Sequence, residues 1–159
     1  MDIYLIRHGD TVDLATWHDQ DDAQRPLTTD GIARLKRQAE TLAKWKLPID
    51  TLVSSPFVRA RQTADIMAEA FHLPVIEDVL LTRTQFGLPQ LEQVLAKHQH
   101  TQHLMLAGHE PDFSKILSAV IGGGELEIGH GGIGRITLKT TNPPSGRLLW
   151  LLTSDVMGG

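Results

Sequence analysis

Ile3 to Ile6 are apolar or aromatic at every position, without alternation. That pattern predicts a strand buried on both faces. Pro26-Leu27-Thr28-Thr29-Asp30 reads as a helix start, with Thr28 or Thr29 as the cap and an acid near the positive end of the helix dipole. Ile32, Leu35, Ala39 and Leu42 then recur at three and four residues, the mark of one buried helix face. Thr51 to Ser54 predicts a second short strand. Ser55-Pro56 reads as a helix start with a serine cap and proline at the first position. Phe57, Ala60, Ala64, Met67 and Phe71 supply the apolar face of that helix, which ends near Leu73-Pro74. Val75-Ile76 begins a short strand, and Leu88, Leu91 and Leu95 mark a further helix. His103 to Ala107 is the third central strand. Phe113, Ile116, Leu117 and Val120 form a helix stopped by Gly122-Gly123-Gly124. Arg135 to Leu138 and Leu148 to Leu152 read as a closing hairpin, turned around Asn142-Pro143-Pro144-Ser145-Gly146.

Strands that alternate with helices predict an α/β three-layer sandwich, a mostly parallel central sheet with helices on both faces. A chain of 159 residues fits one domain, 1–159, with its own core. No apolar run approaches the length of a membrane span, and the start MDIYLIRHGD turns charged too soon for a signal peptide. The expected location is therefore cytoplasmic, with no membrane partner. The chain has no cysteine, which excludes disulfides, thiolate zinc sites and thiol nucleophiles. Its net charge of −4 argues against nucleic acid as a partner. Any affinity for phosphate must then come from a few converging cations.

In parallel α/β folds ligands gather at the carboxyl ends of the strands. That rule singles out Arg7-His8 after the first strand, Arg59 in the first turn after the second, and His109 after the third central strand. Arginine presents a planar fork of donors to phosphate oxygens, and histidine serves as nucleophile or proton carrier near neutral pH. The helix start at Ser55-Pro56 adds amide donors to the same region. The set describes a phosphoryl-transfer site that needs neither metal nor cofactor.

These residues lie in recognisable motifs. LIRHGDT at 5–11 resembles the Arg-His-Gly signature of the histidine phosphatase superfamily. SSPFVRARQTA at 54–64 resembles its Ser-Pro-x-x-Arg-Ala-x-Gln-Thr element, GHEP at 108–111 its second-histidine motif, and RPLTTDG at 25–31 the opening of its first helix. The four occur in family order. The short length and the RHGD start look most like the SixA-type bacterial phosphohistidine phosphatases. The resemblance implies a phosphoglycerate mutase-like fold and a covalent mechanism. His8 would attack phosphorus; Arg7, Arg59 and His109 would hold the phosphoryl oxygens; water would then hydrolyse phospho-His8. Larger members place an acid after the second helix, where this chain reads DVLLTRTQFGLPQLEQ without a match. The acid-phosphatase branch places its proton donor directly after the second histidine, where Glu110 stands here. Glu110 is thus the candidate acid; its other reading is an exposed first-turn acid favoured by the helix dipole.

The remaining signals have plainer readings. Arg61 should point away from Arg59 and be solvated or salt-bridged. His98-x-His100-x-x-His103 reads as a solvated helix end, and His18 to Asp22 as a solvated loop near the pocket mouth. Gly129-x-Gly131-x-x-Gly134 matches the dinucleotide fingerprint in the wrong context and reads as a flexible turn into the next strand. The favoured substrate is a phosphohistidine on a protein or peptide, the alternative a small phosphate ester. A phosphate-binding module without turnover ranks last.

Overall fold

β1 (Asp2–Arg7) lies inside the sheet, as its unbroken apolar run requires, with a neighbour on each side. The computed structural model describes residues 1–17 and 21–158. Among these, six strands form one sheet in the order β3-β2-β4-β1-β5-β6. The other strands are β2 (Thr51–Ser54), β3 (Val75–Glu77), β4 (His103–Gly108), β5 (Ile133–Thr141) and β6 (Pro144–Leu152). The pairs β1–β4, β2–β4 and β2–β3 are parallel, while β5 runs antiparallel to β1 and β6. The helices are α1 (Thr29–Lys44), α2 (Val58–Phe71), α3 (Leu88–Lys97) and α4 (Asp112–Ile121). The architecture is a mixed α/β fold with helices on both faces.

Side chains alternate across a strand, so each central strand feeds two cores. Ile3 and Leu5 of β1 join Leu104 and Leu106 of β4 with Leu91, Val94 and Leu95 of α3 and Phe113, Ile116 and Leu117 of α4. Tyr4 and Ile6 join Met105 and Ala107 with Leu35, Ala39 and Leu42 of α1 and Ala64 and Met67 of α2. The three-and-four spacing read from the sequence is the buried stripe of each helix. Thr28 is the N-cap of α1, its hydroxyl accepting from the Gly31 amide at 2.9 Å.

Two expectations are corrected. Ser55-Pro56 does not start α2: the helix begins at Val58, and its N-cap, Phe57, makes no side-chain capping bond. The Ser55 hydroxyl is engaged by His109 instead, at 2.8 Å. The closing hairpin is longer than its apolar residues suggest, and Pro144 pairs with Thr141 inside it. Proline is tolerated there because β6 is an edge strand and needs no donor outward.

Candidate active site

The carboxyl ends of β1, β2 and β4 lie side by side, and the predicted residues follow them. Arg7 pairs with Gly108 in the β1–β4 ladder, and the His8 amide donates to the Gly108 carbonyl at 3.0 Å. His8 and His109 are thereby neighbours, with ring centroids 5.4 Å apart. The Ser55 amide donates to the Ala107 carbonyl, which fixes the start of the α2 segment against β4. A Cβ at Gly9 would stand 2.6 Å from Leu35 Cδ1, so a side chain there requires Leu35 to shift.

His8 is held in one tautomer. Its Nδ1 lies 2.8 Å from the Gly9 carbonyl, which can only accept, so Nδ1 carries the proton. The lone pair is then on Nε2, where the Arg59 Nε–H donates to it at 3.3 Å. Burial holds the His8 pKa down at about 2; the bond to Gly9 opposes this, and the nearby His109, Arg59 and His130 reinforce it. His8 is a neutral imidazole at physiological pH. His109 is likewise held down at about 3, by burial first and then by Arg59 and Arg83, while Asp22 opposes. Its Nε2 meets the Ser55 hydroxyl, and its Nδ1 is buried without a hydrogen-bond partner among the described residues.

Arg59 is fully buried on the first turn of α2, with its guanidinium 5.0 Å over the Phe57 ring. Its outer nitrogens donate to Asp22, to the carbonyl at 2.6 Å and the carboxylate at 2.9 Å. Arg25 Nε donates to the other Asp22 oxygen at 2.9 Å, and Arg83 Nη1 approaches within 3.8 Å. A buried cation needs such a partner. Asp22 is therefore an ion-pairing residue of the site, which corrects its reading as part of a solvated loop; 18–20 lie outside the described residues. Arg7 Nη1 donates to the Ile128 carbonyl at 2.8 Å and Nη2 to His130 Nε2 at 3.0 Å.

Glu110 stands beside this cluster. With Ser114, Lys115 and Glu127 it lines a groove of about 690 Å³ along α4, whose walls do not include His8 or His109. Burial raises its carboxyl above the usual range; hydrogen bonding to Ser114 and the charge of Arg7 oppose this. The other singled-out residues take structural places. Arg61 pairs with Asp65 and Glu77. His98 caps the end of α3, and His103 opens β4 near Asp2.

Sequence reasoning missed His130. It sits in the turn of 129–132 that leads into β5, with its ring centroid 5.5 Å from that of His8. No motif marks it. The antiparallel pairing of Ile6 with Ile133 brings its turn beside His8.

The strand ends of this α/β fold thus carry two arginines and a pair of neutral histidines. Residues 3–115 match the histidine phosphatase superfamily (branch 1). An uncharacterized protein of Picosynechococcus sp. is 36% identical over 134 residues, 82% of this chain and 77% of that protein. The phosphohistidine phosphatase SixA of Escherichia coli is 35% identical over 88 residues, 55% of this chain and 52% of SixA. The fold superposes on a structure of the protein histidine phosphatase SixA complexed with tungstate, with a TM-score of 0.84, 99% of both chains covered and 23% identity. The chain belongs to the histidine phosphatase superfamily, and so to the phosphatase enzymes.

Proposed function

We propose that the protein hydrolyses phosphohistidine on a protein or peptide, through a phosphoryl group carried on His8 and without a metal ion. One observation carries the reading: His8 Nε2 holds its lone pair beside the buried Arg59 guanidinium, while Nδ1–H is tied to Gly9. A nucleophile needs that free pair at working pH, and a fixed ring removes the cost of orienting it. Arg59 and Arg7 grip the phosphoryl oxygens, and the unpartnered His109 Nδ1 supplies a further polar contact. Asp22 yields Arg59 donors to the substrate. A SixA of the same fold carries tungstate, a tetrahedral oxyanion like phosphate. His8 Nε2 attacks phosphorus, the substrate imidazole departs, and water displaces the phosphoryl group from Nε2.

The second reading is hydrolysis of small phosphate esters. Glu110 favours it, because a half-buried carboxyl pushed upward is suited to protonating a poor alkoxide leaving group. Turnover of a phosphohistidine peptide against a panel of phosphate monoesters separates the two. The first reading expects a higher kcat/KM on the peptide, retained in EDTA. Activity on esters with none on the peptide promotes the second. Loss in EDTA with rescue by magnesium or zinc contradicts the metal-free mechanism.

A further inference from the structure

The two arginines of the site are held in different ways. Arg59 is paired with a carboxylate, that of Asp22. Arg7 is held by the turn of 129–132 and by Ile128 just before it. Its Nη1 donates to the Ile128 carbonyl at 2.8 Å and its Nη2 to His130 Nε2 at 3.0 Å, one contact on each outer nitrogen. The Nε–H, buried without a partner among the described residues, and the second hydrogen on each outer nitrogen are left for a ligand. The turn is itself bonded to the segment it serves. The Gly131 amide donates to the His8 carbonyl at 3.1 Å, and the Arg7 amide to the Gly132 carbonyl at 3.0 Å. Gly131 sits at φ +69°, where a side chain would be strained. The Ile128 amide donates to the Ser114 hydroxyl at 3.1 Å, which ties the same stretch to α4.

Arg7 can only donate, so His130 Nε2 accepts and the ring proton is on Nδ1. The Asp10 carboxylate stands 3.3 Å from that Nδ1 and so favours this tautomer. Asp10 is in turn anchored to the start of α1: its carbonyl accepts from the Thr28 amide at 2.9 Å, and its second carboxylate oxygen accepts from Arg34 at 3.1 Å. Burial, then Arg7, lower the His130 pKa from its ordinary value, while Asp10 opposes. The ring therefore keeps its lone pair at neutral pH. We propose that His130 is a positioning residue for phosphoryl transfer: its Nε2 fixes the Arg7 guanidinium in the orientation that meets the phosphoryl oxygens, and Asp10 fixes the tautomer this requires. The proposal rests on the reading above, in which Arg7 grips the phosphoryl group. His130 moves no proton and touches no reacting atom, because its lone pair is engaged by Arg7. Its effect is to orient the guanidinium before the reaction begins, and a donor already in place stabilises the transition state without the cost of reorganising.

A residue that acts through Arg7 matters only while Arg7 is present, so a double-mutant cycle tests the proposal. The readout is kcat/KM on 4-nitrophenyl phosphate and on a phosphohistidine peptide. His130→Ala should lower it by about tenfold on both, the size expected for one hydrogen bond to a charged group. His130→Gln should recover most of that loss, since its amide oxygen accepts from Arg7 and its amide nitrogen donates to Asp10. His130→Phe fills the space of the ring but offers no acceptor, and should lose as much as His130→Ala. In the Arg7→Ala background, with residual turnover read above that of His8→Ala, adding His130→Ala should change kcat/KM by less than about twofold. Wild-type kcat/KM in His130→Ala would overturn the proposal. Recovery by Phe as complete as by Gln would assign the ring to packing and overturn it too, as would an equal loss with and without Arg7. Wild-type kcat/KM in Arg7→Ala itself would instead defeat the phosphate grip in the reading beneath it.

Discussion

At the scale of the residue, the chemistry turns on which nitrogen of a histidine carries the lone pair. The Gly9 carbonyl claims Nδ1 of His8, so chemistry is left to Nε2. His8→Ala should therefore abolish turnover of both peptide and ester, measured against the uncatalysed background. Glu110 gives a graded prediction. Imidazole leaves phosphohistidine readily, whereas an alkoxide needs a proton. Glu110→Gln should slow alkyl phosphates by roughly tenfold to a thousandfold and a phosphohistidine peptide much less. Equal loss on both, read as kcat/KM, would assign Glu110 to binding or structure. Arg7, His8, Arg59 and His109 were legible in the sequence because each lies in a contiguous motif at a strand end. Asp22 and His130 were not. Asp22 lies 37 residues from the arginine it neutralises, and His130 lies 123 residues from the one it meets. Neither stands in a local pattern that marks such a partner.

At the scale of the element, periodicity located all four helices, since each buries one stripe. The Thr28 cap of α1 was legible for the same local reason, and its loss is predictable. Thr28→Ala should cost about 1 kcal/mol, read from denaturant unfolding, because the Gly31 amide loses its acceptor. Ser55 shows where local reading fails. A Ser-Pro pair is a good helix start in isolation, but here a histidine from the end of another strand takes the hydroxyl. The turn of 129–132 failed in the same way: its glycines announced a bend, but not the backbone bonds that tie it to Arg7 and His8. Gly131→Ala should damage it twice, through the φ of +69° and through a Cβ that would stand 2.8 Å from Gln38 Oε1. Stability should fall by about 1–3 kcal/mol. The proportional loss in turnover should exceed that of Thr28→Ala, because this turn is bonded to the backbone of Arg7 and His8.

At the scale of the whole molecule, the alternation of strands and helices gave the class of fold but not the order of strands. That order depends on contacts such as β1 with β4 and β5, which no local pattern encodes. No helix among the described residues is long and apolar enough to cross a membrane. Burying two neutral histidines also couples the fold to pH. In the unfolded chain they titrate near 6.5; in the folded protein they stay neutral down to about 2 and about 3. As pH falls below that ordinary value the unfolded state takes up protons first, so stability declines. Each histidine contributes at most about 1.4 kcal/mol per pH unit. Urea midpoints should therefore drop between about pH 6.5 and about pH 5, before the carboxylates titrate. His109→Gln should flatten the decline; an unchanged slope would contradict the burial argument.

The central claim is a phosphoryl group carried on His8 Nε2. Its most direct measurement is to quench the enzyme in base during turnover of a labelled phosphohistidine peptide and map the modified residue by mass spectrometry and phosphorus NMR. The account predicts base-stable, acid-labile label on His8, bonded to Nε2, and none on His8→Ala. Label on Nδ1 or another residue, or undiminished label on His8→Ala, would contradict it.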